Sequence, residues 1–464
     1  MSYSKDNLAW LGTIPDHWQV SKLRQVFSPF SEKNYPDMPL LSVVREKGVI
    51  IRNVESKEEN HNYVPDDLSN YKLVKQGQFT MNKMKAWQGS YGVSKYDGIV
   101  SPAYFVFNFK CDINRDFFNA AIRSKAYVSY FGQASDGIRV GQWDLSMARM
   151  KDIPFLVPPR EEQDQIVRFL DWKVSSINKL ISNYRHQIAL LDEMKQRQID
   201  EAAIKGMRKS VITHSDDMRW NIDYPEHWEI QRTRKSFSFR KGLSITKANL
   251  EETGIAVISY GQVHSKKNSG VALNGDLIRY VNEAYLTTNQ SCLVEKGDFI
   301  FADTSEDVTG CGNCAYIDWD DTIFAGYHSI IAHPDGSINS KYLAYLFKSP
   351  TWRYQIRKKV NGVKVYSITQ KMLKDTFILI PPIDEQEEII RYLDEVYAKI
   401  DVTIKKMEAK IANLQDLKIC LIADTVTGKI DVRGIEIPEY EFVDEDADAD
   451  NEDDGEEDTE EQED

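Results

Sequence analysis

The sequence has 464 residues, 42% of them hydrophobic and 11% aromatic, which is too long for one ordinary core and apolar enough to fill two or more. It contains no run of about 18 apolar residues and its N-terminus lacks the basic-then-apolar order of a signal peptide, so we expect a soluble cytoplasmic protein without a membrane partner. The formal charge of −14 comes from one end, because 17 acidic and no basic residues fall within 439–464, leaving +3 on residues 1–438.

Taken in chain order, the sequence predicts two mixed, β-rich globules, each followed by a long helix. Residues 39–109 and 255–333 contain short β-branched and aromatic runs separated by Gly, Asn and Asp turns, and a short helix is predicted near 342–347. The expected fold class is therefore α+β. The expected domains are a first globule over 1–157, a central helix over 158–210, a second globule over 211–380, a C-terminal helix over 381–434 and an acidic tail over 435–464.

Both long helices carry signals at their ends and along one face. Pro158-Pro159 and Pro381-Pro382 favour helix starts, and Gly206 and Gly428 favour stops. Helices over about 161–204 and 384–426 would each be roughly 65 Å long. Apolar residues recur at alternating steps of three and four, which predicts that the two helices pack against each other. The helix-packing residues are Leu170, Val174, Ile177, Ile181, Tyr184, Ile188 and Leu191 in the first helix, and Leu393, Tyr397, Ile400, Ile404, Met407, Ile411 and Leu414 in the second.

The chain contains an internal repeat. The segment 158–171, PPREEQDQIVRFLD, returns as 381–394, PPIDEQEEIIRYLD, at an offset of 223 residues. Upstream, the segment 14–18, IPDHW, returns as 224–228, YPEHW, at an offset of 210 residues. The offset changes within the globules but is constant along the helices. This indicates that insertions separate the two halves in the globules and not in the helices.

These motifs, present twice and in the same order, resemble the Type I restriction-modification specificity subunit over nearly the whole chain except the tail. The family pattern at the start of each half is similar to Ile-Pro-x-x-Trp, and here Tyr224 replaces the second Ile. Each recognition domain of the family closes on a pattern similar to Gly-x-Arg/Lys, matched by Gly137-Ile138-Arg139 and Gly362-Val363-Lys364, before Pro-Pro-x-x-Glu-Gln.

The resemblance implies a non-catalytic DNA-binding subunit. Each globule would read one half of a bipartite target on double-stranded DNA, and the helices would pack as an antiparallel coiled coil that sets the gap and docks partners. The implied partners are two methyltransferase subunits that carry S-adenosylmethionine and modify adenine, and two motor-nuclease subunits that use ATP and Mg²⁺. This chain itself would hold no cofactor.

Reading DNA requires cations for phosphates and amides or cations for base edges. Arg139 and Lys364 are the strongest candidates, because each follows a Gly in the equivalent turn of its half. Any single Lys is more often an exposed charge than a DNA contact. The DNA-binding candidates are Arg45, Lys47, Lys83, Lys85, Trp87, Gln88, Arg139 and Gln142 in the first globule, and Arg240, Lys241, Lys247, Lys266, Lys267, Lys358, Lys359, Lys364 and Tyr366 in the second.

No catalytic residues and no metal site are predicted. The sequence has no phosphate-binding loop of the Gly-x-x-x-x-Gly-Lys-Ser/Thr type and no Asp/Asn-Pro-Pro-Tyr/Phe adenine-methylation motif. Cys311 and Cys314 lack a second ligand pair at zinc spacing, so they are expected to be structural. Trp18 and Trp228 are expected to anchor a core, and His17 and His227 to form local hydrogen bonds.

Two questions stay open at this stage. The acidic tail is expected to be disordered, either as a solubilising segment or as a competitor of DNA for basic grooves. The alternative function is a coiled-coil scaffold with two ligand-binding globules and no DNA role; globules without a continuous positive surface would favour it.

Overall fold

The chain forms two compact units. The structure is a computed structural model that describes residue 8 and residues 14–45, 47–52, 64–65, 67–136, 143–208, 210–214, 221–362 and 365–444. Unit 1 comprises residues 1–185 and 408–464, and unit 2 comprises residues 186–407. Each long helix therefore contributes one part to each unit.

Unit 1 is a mixed domain of short strands and helices. Its strands are β1 Gln19–Lys22, β2 Phe27–Phe30, β3 Leu41–Val44, β4 Gly48–Ile51, β5 Lys72–Val74, β6 Phe79–Asn82, β7 Tyr91–Val93, β8 Gly98–Val100, β9 Tyr104–Phe109, β10 Ser135–Asp136, β11 Asp144–Leu145 and β12 Pro154–Val157. Its helices are α1 Leu23–Val26, α2 Arg115–Ile122, α3 Lys125–Gln133, α4 Met147–Lys151 and the first part of α5 Arg160–Asp200, with a 3₁₀ turn at Ala86–Gln88.

An antiparallel sheet in the order β2-β9-β6-β7 forms the centre of unit 1. Its aromatic residues pack in tilted and edge-to-face pairs: the ring centroids of Phe27 and Phe107 lie 4.6 Å apart. Phe118 of α2 meets Phe79 of β6 at 5.2 Å. These side chains are buried, so the aromatic runs in the sequence form the core of the first globule.

Unit 2 repeats this plan with more elements. A π-helical turn, Glu201–Lys205, continues α5. The strands are β13 Ile212–His214, β14 Asp223–Pro225, β15 Glu229–Arg232, β16 Phe237–Lys241, β17 Ile255–Ile258, β18 Arg279–Val281, β19 Leu293–Val294, β20 Phe299–Ala302, β21 Thr304–Ser305, β22 Cys314–Tyr316, β23 Ile323–Ala325, β24 Ser329–Pro334, β25 Tyr366–Ser367 and β26 Phe377–Ile380. The helices are α6 Tyr260–His264, α7 Tyr285–Thr288, α8 Ser340–Lys348, α9 Pro350–Arg357, α10 Gln370–Lys374 and the first part of α11 Ile383–Val426, with 3₁₀ turns at Thr233–Lys235, Lys247–Asn249, Gly275–Leu277 and Gln290–Cys292.

The main sheet of unit 2, in the order β16-β24-β20-β22, corresponds strand by strand to β2-β9-β6-β7. A second sheet, β18-β17-β23-β19, packs nearby and contains the parallel pair β17 and β23. In unit 1 a parallel bridge between Leu40 and Ile99 takes the same place. The internal repeat in the sequence is thus a repeat of the fold, and the predicted α+β class with two long helices is confirmed.

A buried carboxylate at the first turn of each long helix holds the start of its half. Trp18 Nε1 donates to Glu162 Oε1 at 3.0 Å, and His17 Nε2 lies 2.7 Å from Glu162 Oε2. The second half repeats both contacts, with Trp228 Nε1 at 3.0 Å and His227 Nε2 at 2.8 Å from the two oxygens of Glu385. We call each set of three residues the carboxylate clamp.

The neighbouring glutamine ties the same helix turn to the globule. Gln163 Oε1 accepts from the backbone N of Asn114 at 2.8 Å, and Asn114 caps the N-terminus of α2. Gln386 Oε1 accepts from the backbone N of Asn339, the N-cap of α8, at 2.9 Å. The Glu-Gln pair of the repeated motif therefore joins three segments that are distant in the sequence.

A glycine at the end of each long helix packs against a clamp tryptophan. Gly428 has φ +81° and approaches Pro15 and Trp18, so that an added Cβ would meet Pro15 Cδ at 2.5 Å. Gly206 has φ +76° and an added Cβ would meet Trp228 Cζ2 at 2.9 Å. Both predicted helix stops are confirmed, and both positions require a residue without a side chain.

The two helices run antiparallel within each unit. In unit 1, Lys418 Nζ donates to Asn178 Oδ1 and Lys410 lies over the Tyr184 ring, so residue numbers fall on α11 as they rise on α5. In unit 2, Lys195 Nζ lies 2.5 Å from Asp401 Oδ1. Every predicted helix-packing residue is buried or half-buried, and Leu393 is fully buried.

The beginning of the predicted acidic tail is packed, which corrects its expected boundary. Ile435 and Ile437 pack against the core of unit 1, and Gln165 Nε2 donates to the carbonyl of Ile435 at 2.8 Å. Further along, Glu441 pairs with Lys179 at 2.9 Å. Two apolar residues and these contacts hold residues 435–444 on unit 1, while residues 445–464 lie outside the described residues. Within the part of the chain that the structure describes, no helix is long and apolar enough to cross a membrane.

The carboxylate clamp predicts a large difference between two adjacent glutamates. Glu162→Ala leaves the buried Trp18 N–H without its acceptor and should lower the free energy of unfolding by about 1–3 kcal/mol. Glu161→Ala removes an exposed carboxylate from the same helix turn and should cost less than about 1 kcal/mol. Urea unfolding followed by tryptophan fluorescence measures both. Equal losses would contradict a specific role for the Glu162 carboxylate.

Candidate nucleic-acid interface

In both units the main sheet ends in a polar loop at the same edge. In unit 1, β6 finishes at Asn82 opposite Tyr104, the first residue of β9. In unit 2, β20 finishes at Ala302 opposite Ser329, the first residue of β24. The segments that follow, 83–90 and 303–313, therefore hold equivalent places, and we call them the sheet-end loops.

The first sheet-end loop brings together four of the candidates. Lys83 Nζ lies 2.5 Å from Asp144 Oδ2, and the backbone N of Leu145 donates to the carbonyl of Lys83. The rings of Trp87 and Trp143 lie 5.1 Å apart. Lys85 is exposed and Gln88 is half-buried. The first surface, made of Lys83, Lys85, Trp87, Gln88 and Trp143, thus combines cations, an amide and aromatic rings.

Other first-globule candidates lie elsewhere or outside the described residues. Arg45 lies at the turn between β3 and β4, and its carbonyl accepts from the Arg123 guanidinium of α2 at 2.9 Å. Lys47 follows in the same turn and is exposed. Arg139 and Gln142, between the paired strands β10 and β11, lie outside the described residues, as does Lys364 in the second globule.

In unit 2, two glycines let three backbone segments converge at the equivalent sheet edge. An added Cβ on Gly242 would meet the carbonyl of Gly326 at 2.2 Å, and one on Gly326 would meet Ser259 Oγ at 2.0 Å. Leu243 N donates to Ala325 O, and Tyr260 N donates to Tyr327 O. The segments that carry Lys241, Tyr260 and His328 are thereby held side by side.

These segments form a second surface next to the second sheet-end loop. The Tyr260 ring lies 5.6 Å from Tyr327 and 5.5 Å from His328. His328 Nδ1 lies 3.2 Å from Asp303 Oδ1, and strand β21 after Asp303 pairs with β25, opposing Ser305 to Tyr366. The second surface comprises Lys241, Tyr260, Lys266, Asp303, Tyr327, His328 and Tyr366.

A half-buried chain of hydrogen bonds links the second sheet-end loop to α6 and α9. Arg353 Nη1 donates to Asn313 Oδ1, Asn313 Nδ2 donates to His264 Nδ1 at 3.2 Å, and His264 Nε2 donates to the carbonyl of Thr304 at 2.8 Å. Because a guanidinium only donates and a carbonyl only accepts, this series of hydrogen bonds fixes the orientation of the Asn313 amide and the tautomer of His264. Burial lowers the pKa of Arg353 to about 10, so the Arg353 guanidinium is still a charged donor at neutral pH.

The remaining second-globule candidates differ in their surroundings. The Arg240 guanidinium lies 3.5 Å from Asp298, a fully buried carboxylate that also contacts His333, so the geometry favours a structural role for Arg240. Lys358 and Lys359 follow α9, whose Arg357 donates to the carbonyl of Thr309 in the sheet-end loop. Two further candidates of the second globule, Lys247 and Lys267, lie on separate turns. Lys247 is exposed in its 3₁₀ turn, and Lys267 pairs with Asp276 at 3.6 Å.

Sequence reasoning missed Tyr260, Tyr327 and His328. They fall in two short segments about 67 residues apart, and neither segment has a periodic or basic pattern. The available signal was the pair Gly326 and Gly242, because a glycine beside a strand often marks a close backbone approach.

The cysteine pair and the clamp tryptophans fit their expected structural roles, whereas His17 and His227 bond to glutamates 145 and 158 residues away instead of locally. Cys311 and Cys314 are buried and free, and burial raises the pKa of Cys314 to about 11, which disfavours a thiolate. Trp18 and Trp228 are buried, and both histidines bond to the clamp glutamates. Among the described residues, no group of three or more His, Cys, Asp or Glu is arranged to hold a metal ion.

The chain thus consists of two similar halves. Each half has a long helix and a mixed globule, and the main sheet of each globule ends in a polar loop. The model of the Type I restriction modification DNA specificity domain matches residues 15–188 and again residues 225–413, so the chain belongs to this family.

Individual relatives agree with this family. The chain is 22% identical to the Type I restriction enzyme MjaVIII specificity subunit of Methanocaldococcus jannaschii over 61% of this chain, and 21% identical to the EcoKI specificity subunit of Escherichia coli over 66%. Each match spans 64% of the relative's length. A solved chain from a study of complex assembly and conformational transition of the type I R-M system covers 90% of this chain and 100% of its own length, with a TM-score of 0.60 and 14% identity, which supports the fold.

The first surface predicts a difference between two exposed lysines. Lys85→Ala should weaken DNA binding for all sequences and reduce the slope of log K against log salt by about 1, because one phosphate contact is lost. Lys95→Ala is the matched control, since Lys95 follows β7 at the opposite end of the same sheet. Fluorescence anisotropy across a salt series gives both slopes, and equal slopes for the two variants would argue against the first surface.

Proposed function

We propose that this chain is the DNA-recognition subunit of a Type I restriction-modification complex and that each globule binds one half of a bipartite target. This proposal rests mainly on one contrast: the clamp residues and helix-end glycines are identical in the two halves, but the two surfaces differ. His, Trp, Glu, Gln and the helix-end Gly are identical in the two halves, whereas the equivalent sheet-end positions hold Lys83 in one half and Asp303 in the other. Identical supports with different surfaces suit a protein that reads two different half-sites.

The chemistry of the surfaces supports DNA as the ligand. Lys83, Lys85, Lys241 and Lys266 offer cations for phosphates, and Gln88 offers an amide whose donor and acceptor match an adenine edge. The −14 charge of the chain does not oppose this, because residues 1–438 carry +3. We infer that the scaffold alternative is less well supported, because globules without positive charge would favour it and both surfaces carry exposed lysines.

The same proposal assigns the chemical steps to partner subunits. In it, two methyltransferase subunits bring S-adenosylmethionine for adenine methylation, and two motor-nuclease subunits bring ATP and Mg²⁺ for cleavage in the cytoplasm. Exposed apolar side chains on the long helices suit protein docking. These are Leu180, Leu417 and Ile419 in unit 1, and Leu190, Met194, Ile383 and Val402 in unit 2.

The test is to co-express the chain with its methyltransferase partner and to sequence methylated adenines in DNA exposed to the complex. We expect methylation at a split motif with a fixed gap, and loss of one half-site only when Arg139→Ala or Lys364→Ala is introduced, each in its own half. Binding to neither DNA nor a methyltransferase would instead support the scaffold alternative.

The helices are proposed to set the gap between half-sites. Inserting one heptad after Ile188 and another after Met407, which lie at matching levels of the antiparallel pair, adds about 10 Å to both helices, or about 3 base pairs of DNA. The preferred gap should change while both half-sites stay the same, as read by the same methylation assay. An insertion after Ile188 alone is the control and should impair helix pairing. An unchanged gap with both insertions would mean that the helices do not set it.

A further inference from the structure

The residue His328 stands out on the second surface. Its backbone has φ 52°, in the left-handed region that non-glycine residues seldom adopt. Its side chain is 57% exposed although the strand that follows it is buried. A residue held in this conformation at a sheet edge, with its ring facing solvent, is arranged for contact with a ligand rather than for packing.

Asp303 fixes both the backbone and the ring of His328. The backbone N of Asp303 donates to the carbonyl of His328 at 3.0 Å, and Asp303 Oδ1 lies 3.2 Å from His328 Nδ1. Tyr260 meets the imidazole edge to face at 5.5 Å, and Tyr327 does so at 6.0 Å. The ring is therefore oriented before any ligand arrives, which reduces the entropy lost on binding.

We propose that His328 is a base-reading residue of the second globule and that its Nε2 accepts a hydrogen bond from the exocyclic amino group of an adenine or a cytosine. This rests on the proposed function. A carboxylate only accepts, so in the neutral imidazole the contact with Asp303 places the proton on Nδ1 and leaves the lone pair on Nε2. In the major groove, amino donors are presented by adenine N6 and cytosine N4.

The surroundings of His328 suit a groove contact. Lys241 ends β16 and pairs in register with Ile330, two residues beyond His328, so its cation lies at the same sheet edge. Lys266 follows the short helix that carries Tyr260 and His264. These exposed cations are available for phosphate contacts beside a base that His328 reads.

The first globule has no equivalent of this residue. The residue before β9, at the place of His328, is Ala103, which offers no hydrogen-bonding group. The two halves therefore differ at this position in their capacity to read a base, and the effect of His328 belongs to the second half-site alone.

The experiment uses His328→Gly in the methyltransferase complex with the full chain. Glycine adopts φ 52° without cost, so the variant removes the imidazole and keeps the turn. We expect methylation sequencing to show relaxed selection at one position of the second half-site and an unchanged first half-site and gap. Lys296→Ala, which removes an exposed cation before β20 at the opposite end of the same sheet, is the control and should leave both half-sites unchanged.

The acceptor role is tested with modified duplexes. For each adenine or cytosine of the second half-site in turn, the base is replaced by an analogue that lacks the amino group. The wild-type complex should lose about 3- to 10-fold in affinity at one position, the range of one neutral hydrogen bond, and His328→Gly should show no further loss there. His328→Asn, which tolerates the turn and retains an acceptor, should recover part of the discrimination.

The outcomes separate this inference from the proposed function. If the wild-type complex gives a split motif and His328→Gly gives the same second half-site, the reading role of His328 is refuted while the DNA-recognition function stands. If the variant relaxes the second half-site but every amino deletion affects it as strongly as the wild type, the acceptor role is refuted. A wild-type complex without a split motif refutes the proposed function itself.

Discussion

The structure depends on a buried carboxylate and its neighbouring amide at the first turn of each long helix. Glu162 accepts from Trp18 while Gln163 accepts from Asn114, and Glu385 and Gln386 repeat the arrangement. Burying a carboxylate is unfavourable unless its lone pairs accept hydrogen bonds, so the buried glutamate requires these partners. The same helix turn thereby fixes the position of the His-Trp segment and of the globule helix whose N-cap it bonds.

This arrangement separates what must be constant from what is free to vary. The clamp residues and the helix-end glycines are identical in the two halves, and five of the seven pairs of helix-packing residues are identical as well. The sheet-end loops carry Lys83 and Trp87 in one half and Asp303 in the other, with His328 beside it. Recognition residues on loops held by a rigid scaffold change without loss of the fold.

The sequence predicted the long-range plan better than the local surfaces. Helices expected over 161–204 and 384–426 are observed at Arg160–Asp200 and Ile383–Val426, because period, prolines and glycines are local signals. The contact of Trp18 with Glu162 spans 144 residues and has no local signature. For the same reason, nothing near Arg240 in the sequence indicates Asp298 as its partner, and the DNA contact of Arg240 stays a prediction. His328 was missed because its conformation comes from tertiary contacts.

The packing of Gly428 against Pro15 and Trp18 also bears on how the chain folds during synthesis. Unit 2 is one continuous stretch, residues 186–407, and all of its internal contacts are available once that stretch has left the ribosome. The N-terminal part of unit 1 is synthesised first, but Trp18 in that part packs against residues near 428, which are synthesised after unit 2. The N-terminal globule must therefore wait, with an apolar face uncovered, through the synthesis of more than 200 further residues. Unit 2 can therefore be completed before unit 1, so the order of completion is the reverse of the order of translation.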